Sequence, residues 1–264
     1  MKDFRRGGAE TTRGPREGEH NPKYAGSVRA PMRGPYSEYA APPVYVYPDR
    51  PRPRVRFSRT ELAQLAAAIL ALSGAFTVLY IRSAPAIFLS DPGPYLALVF
   101  PASLLAVGTG VGLHEVMHKV VAQRYGYWAE FRYNPRGLLF AFVLAAAIGF
   151  LYGAPGATWI SGPVTREENG RISAAGPATN LVISAALYIV LLALGLKISS
   201  SGVDVRVFIP FQIVLVNAVL AGFNMIPIMP LDGAKIWAWN KAAHAGLAAA
   251  AVILIVFAVF PGLV

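Results

Sequence analysis

The 264-residue chain contains no cysteine, which excludes disulfides and thiolate metal sites while leaving the redox compartment open. Charge is scarce as well. Only 14% of the residues are charged against 55% hydrophobic, where soluble domains average about 25% charged residues. Histidine occurs 4 times, so any imidazole chemistry must come from very few positions. The N-terminus is polar and lacks an apolar h-region, so no cleavable signal peptide is expected. Arg5-Arg6 is followed by "GGAETTRG" rather than an apolar run, which argues against a twin-arginine signal. What is there is grease: a mean hydropathy of +0.47 points to a membrane protein.

The formal charge of +10 is unevenly placed. Residues 1–60 hold 13 Lys/Arg against 6 Asp/Glu, and the remaining 204 hold 11 against 8. Residues 1–58, ending in "APPVYVYPDRPRPRVRFS", are rich in Pro, Gly and Arg and show no apolar periodicity. Such a segment cannot bury enough apolar surface to offset its ordering entropy, so a disordered basic tail is expected. Its aromatics sit in no recognisable nucleic-acid module, and no specific nucleic acid is expected as a partner. A juxtamembrane basic cluster is drawn instead to anionic headgroups, which makes the lipid bilayer its natural partner.

Residues 59–264 then read as one membrane domain. Segments of about 20 mainly apolar residues span a bilayer. Five qualify: Leu62 to Tyr80, Tyr95 to Val121, Ile172 to Leu196, Val207 to Met225 and Ala242 to Phe260. Between the second and third lies "GLLFAFVLAAAIGFLYG", Gly137 to Gly153, which is apolar but short. After it, "APGATWISGPVTREENGR" carries the Pro, Gly and β-branched residues of turns and a short strand. The expected fold is an all-α polytopic membrane protein. It has about five transmembrane helices, a re-entrant or interfacial hairpin over 137–153 and a short β element. No repeat stands out.

The second span is uncharged from Tyr95 to Leu113 and then runs into "HEVMHKVVAQR". Ionisable groups at membrane depth are costly and usually mark a functional site. His114 and His118, four apart on a helix, lie one above the other on a single face. That spacing lets two histidines bind one Zn²⁺, with Glu115 between them as general base on a metal-bound water. The bland alternative pairs Glu115 with Lys119 at i, i+4, as on any surface helix, but it leaves the histidine spacing unexplained. A metal site is the stronger reading.

A catalytic zinc usually has three protein ligands and one open position. His20 lies in the tail and His244 near the start of the last span. Glu61, Asp91, Glu130, Glu167, Glu168 and Asp204 fall in or beside polar connections. Asp232 stands in "FNMIPIMPLDGAK", directly after the fourth span, where Pro227, Pro230 and Gly233 break the helix. Irregular backbone near membrane depth is tolerated where it lines a buried or watered cavity. Read locally, the lesser alternative is a turn with Asp232 as N-cap of the helix that enters the last span.

"HEVMH", "AAGPATN" and "NMIPIMPLDG", in that order, resemble the site-2 protease family of intramembrane zinc metalloproteases. The resemblance runs from about Tyr95 to Trp237 and rests on three ordered motifs. It implies one zinc ion held by His114, His118 and Asp232, Glu115 as the catalytic base, and transmembrane proteins as substrates. It also implies that Asn180 and Asn224 act near the active site, as partners for an unwound substrate strand. Without the family, Asn180 reads as hydrogen-bond glue between helices, and Gly176-Pro177 as a helix start or kink. Gly233-Ala234 replaces the family's usual double glycine. No inserted PDZ domain or CBS pair is seen, so a minimal form is expected.

The basic tail places the N-terminus on the cytoplasmic side by the positive-inside rule. Span two then returns with HExxH near the cytoplasmic face, within about two turns of Arg124 at ~1.5 Å rise per residue. For Asp232 to reach the same depth, span four must run the same way and 137–153 must not cross. The rival reading is a non-catalytic metal-binding membrane protein, a pseudoprotease scaffold or a metal carrier. Glu115 between the histidines favours the enzyme, because a mere binder has no use for a base there.

Overall fold

The computed structural model describes residues 54–149, 155–196 and 204–259. The tail expectation lies outside them as far as residue 53. Residues 54–58 belong to no helix or strand, and Arg56 takes the Gln123 side chain between its main-chain groups: its N–H donates to Oε1 at 2.9 Å, and its carbonyl accepts from Nε2 at 3.4 Å.

Ser58 then starts α1 (Arg59–Ser83) with a capping box, its hydroxyl accepting from the Glu61 N–H and Glu61 reaching back to the Ser58 N–H. A short α2 (Pro85–Ser90) turns the chain into a 33-residue helix from Pro92 to Arg124. Its parts are α3 (Pro92–Val107), a π-helical stretch (Gly108–Leu113) and α4 (His114–Arg124). β1 (Trp128–Tyr133), α5 (Pro135–Ala147) and β2 (Gly156–Ser161) follow, then α6 (Arg166–Ala193), α7 (Val205–Asn224), α8 (Asp232–Trp239) and α9 (Lys241–Val259).

The five helices long and apolar enough to cross a membrane are α1, the α3–α4 helix, α6, α7 and α9, as the sequence led us to expect. Their ends differ by a few residues because caps, rather than apolarity, set them. Thr165 caps α6 with a second capping box, so that helix starts six residues before the apolar run, at Arg166. It continues through Gly176 and Pro177 to Ala193, so the Gly-Pro pair is helix interior and not a start. The protein is a multi-pass membrane protein with a small sheet.

That sheet explains segment 137–153. β1 and β2 pair antiparallel from Trp128↔Ser161 to Tyr133↔Gly156, and the Asn134 N–H donates to the Pro155 carbonyl at 2.8 Å. The chain between them therefore leaves and returns at one point. Its helix, α5, has 13 residues and is too short to span; Asn134 caps it and it packs against α1. Strand β1 arises where Ala129 and Phe131 turn inward at alternate positions.

Helix α6 is the hub, packing against α4, α7, α8 and α9. The π-helical stretch before the histidines lies where helices crowd: a Cβ on Gly110 would meet Leu220 at 2.9 Å and Val216 at 3.2 Å on α7. The missing side chain at Gly110 is the space that the Leu220 and Val216 side chains fill.

Candidate metal centre

The π-helical stretch feeds directly into His114, and such bulges interrupt the regular ladder often at functional sites. The Gly110 carbonyl accepts from Asn180 Nδ2 at 3.1 Å, across from α6. The other end of that amide, Oδ1, accepts from His114 Nδ1 at 3.3 Å. One turn on, His118 Nδ1 donates to the Ile172 carbonyl at 2.7 Å. Both imidazoles thus spend a ring proton on α6, which fixes the tautomer and leaves each Nε2 with a lone pair.

Those two Nε2 atoms point at one carboxylate oxygen. Asp232 Oδ2 lies 3.2 Å from His114 Nε2 and 3.1 Å from His118 Nε2. All three residues are buried, and their ligand atoms lie within 4.8 Å of one another. A neutral imidazole has one N–H, here used at Nδ1, so three electron pairs converge with no proton assigned to hold them together. A divalent cation fits that donor set, and two nitrogens with one carboxylate oxygen suit zinc. Gly176 makes the room. A Cβ there would stand 2.6 Å from both Nε2 atoms, so any side chain at 176 would fill the cradle.

Asp232 is brought in by the broken segment after α7. Leu231 occupies the N-cap position and Asp232 is the first residue of α8, without a side-chain capping bond at that terminus, so the cap reading fails. The second carboxylate oxygen of Asp232 is 3.5 Å from Lys235 Nζ.

Glu115 is not among the three convergent residues, and its carboxylate is bonded to the sheet. Its Oε2 accepts from the N–H and the hydroxyl of Thr158 on β2, both at 2.9 Å. Lys119 does not pair with it; the ammonium forms a buried ion pair with Glu61. Asn180 is fully buried, with both amide atoms engaged as described. Asn224 stands at the end of α7, its Nδ2 donating to the Leu220 carbonyl at 3.0 Å. His244 is buried but outside the triad, its Nε2 donating to the Met225 carbonyl at 2.7 Å.

Thr158, Gly176 and the Glu61–Lys119 pair escaped sequence reasoning. Only Gly176 carried a signal, its place in "AAGPATN"; nothing local marks Thr158, which becomes significant through a contact 43 residues away.

No protein-family model and no solved structure matches the chain. Curated relatives do, among them two zinc metalloproteases by name. "Putative zinc metalloprotease MJ0611" of Methanocaldococcus jannaschii is 40% identical over 186 residues, covering 70% of this chain and 87% of the relative. "Putative zinc metalloprotease Rip3" of Mycobacterium tuberculosis is 30% identical over 164 residues, which are 58% of this chain and 34% of that longer protein. The match to the Methanocaldococcus protein runs over most of both chains, and the convergent His114, His118 and Asp232 supply the donors such a protein needs: the chain belongs to the zinc metalloprotease family.

Proposed function

We propose that the protein is an intramembrane protease of the site-2 type, hydrolysing peptide bonds within or near the transmembrane segments of membrane proteins. One observation carries this reading: a zinc-type donor set is built from two residues on a membrane-length helix and one that follows another such helix. A soluble metalloprotease has no need to place its ligands on apolar spans, where polar groups are costly.

Bound zinc supplies Lewis acidity, making water nucleophilic near neutral pH and taking up charge that develops on a peptide carbonyl. The chain's residues do the rest. Asn180 and the Ile172 carbonyl hold the two imidazoles in register through their Nδ1 protons. Asp232 neutralises part of the cation's charge in a buried setting. Glu115, adjacent to one ligand but outside the triad, takes the proton of the attacking water and passes it to the leaving nitrogen. Thr158 holds the carboxylate that does so. Asn180 is fully buried here, so contact with a substrate strand would require α6 to shift; Asn224 is half-buried and the more accessible of the two.

The positive-inside rule gives the orientation, with the N-terminus and the zinc site toward the cytoplasm. The test is cleavage of a panel of single-span membrane proteins by the purified protein, with and without chelator, beside Glu115→Gln. Chelator-sensitive cleavage lost in Glu115→Gln supports the enzyme. Zinc binding with no cleavage of any substrate favours the non-catalytic metal binder.

A further inference from the structure

His244 is the third histidine of the membrane domain, and it stands apart from the triad. It sits in the first turn of α9 and is 8% exposed. Its main-chain N–H donates to the Asn240 carbonyl at 3.0 Å, and the Asn240 side chain caps the helix through the N–H groups of Ala242 and Ala243. The Trp237 ring meets the imidazole edge-on at 5.1 Å, which limits its rotation. The ring is therefore aimed, and its Nε2 donates to the Met225 carbonyl at 2.7 Å.

Met225 is the C-cap of α7 and is buried. The last carbonyls of a helix lack partners within it, and a buried one needs a donor from elsewhere. The same carbonyl is also where α8 seats. A Cβ on Gly233 would lie 2.5 Å from both the carbon and the oxygen of that group and 2.7 Å from the Ile226 oxygen. Gly233 directly follows Asp232. The path from His244 to the metal site is thus two contacts long: imidazole to Met225 carbonyl, and carbonyl to the backbone that carries Asp232.

We propose that His244 is a positioning residue for Asp232, fixing the Met225 carbonyl against which the Asp232–Gly233 backbone seats and so setting where the carboxylate reaches. The inference rests on the zinc reading of the triad.

The test uses the purified full chain in detergent with zinc alone as the probe, its affinity read by competition with a chelator. His244→Leu removes the ring N–H and keeps the site apolar, while His244→Gln can offer an amide N–H near the position of Nε2. His244→Leu should lose about tenfold in zinc affinity, the lower end of what outer-shell partners contribute. It should also shift the d–d absorption of the Co²⁺-loaded protein. His244→Gln should recover most of the affinity and the spectrum. Unchanged zinc affinity and an unchanged Co²⁺ spectrum in His244→Leu overturn the proposal. If His244→Leu does not fold, His244→Gln decides: a folded Gln variant near wild type agrees with the proposal, and one that has lost affinity overturns it. His114→Ala sets the floor. A wild type that binds zinc no better than that variant overturns the metal site itself, independently of His244.

Discussion

Lys119, one residue past the second histidine of HEVMH, forms an ion pair with Glu61 at the start of α1, and both side chains are 1% exposed. Glu61 also accepts from the Phe131 N–H at 3.0 Å, so one carboxylate ties α1, the histidine-bearing helix and β1 together. The Phe57 ring lies 4.4 Å from the ammonium and closes it from water. Removing one partner leaves the other charge buried and alone, which costs about 3–5 kcal/mol. Glu61→Leu and Lys119→Leu should each lower the midpoint of unfolding in detergent sharply. The double variant should be less destabilised than the two singles added. Wild-type stability in either single variant would show that the pair holds nothing.

Glu115→Gln should keep its zinc and lose cleavage by about 10²–10⁴-fold, the usual contribution of a general acid–base group. Thr158→Val keeps the main-chain N–H but removes the hydroxyl, so it should retain zinc, lower kcat more than KM changes, and be rescued by Thr158→Ser. Turnover of Glu115→Gln at the wild-type rate would rule out the assigned base.

Asp232→Asn preserves the shape of the side chain and removes its charge. Loss of an outer-shell partner costs about 10–100-fold in metal affinity, so loss of the ligand charge should cost at least about tenfold. Zinc per protein and cleavage, measured beside His114→Ala, check this. Full zinc and full activity in the Asn variant would remove Asp232 from the ligand set.

Gly176→Ala places a methyl where the two Nε2 atoms leave 2.6 Å, less than any carbon–nitrogen contact allows. The imidazoles or α6 must move, and zinc binding should fall while helical content by circular dichroism stays near wild type. Normal zinc affinity in this variant would mean that the cradle is not where the metal sits.

Because β1 and β2 close the chain on itself at Tyr133 and Gly156, residues 137 and 170 should lie on one side of the membrane. Single cysteines introduced at Gly137 and at Arg171, the exposed neighbour of buried Gly170, should react in this cysteine-free chain with an impermeant thiol reagent from the same side. Labelling from opposite sides would overturn the layout.

The sequence by itself determined what is local. Apolar runs long enough for a bilayer fix the five spans, because length and hydropathy need no partner to be read. The i, i+4 spacing puts His114 and His118 on one helix face whatever surrounds that helix. The short strand after 153 was legible from its residue types; β1 was not, since it exists by pairing with β2. Tertiary structure decided the rest. Lys119 had two acids to choose from, one at helical spacing and one on another span, and burial against α1 selected Glu61. Asp232 could locally have been a cap; it joins the two histidines because α8 seats on the end of α7 and carries the carboxylate to His114, 118 residues away. Spacing along one helix is set by the geometry of that helix, whereas contacts between spans are set by which faces pack, and packing is a property of all the spans at once.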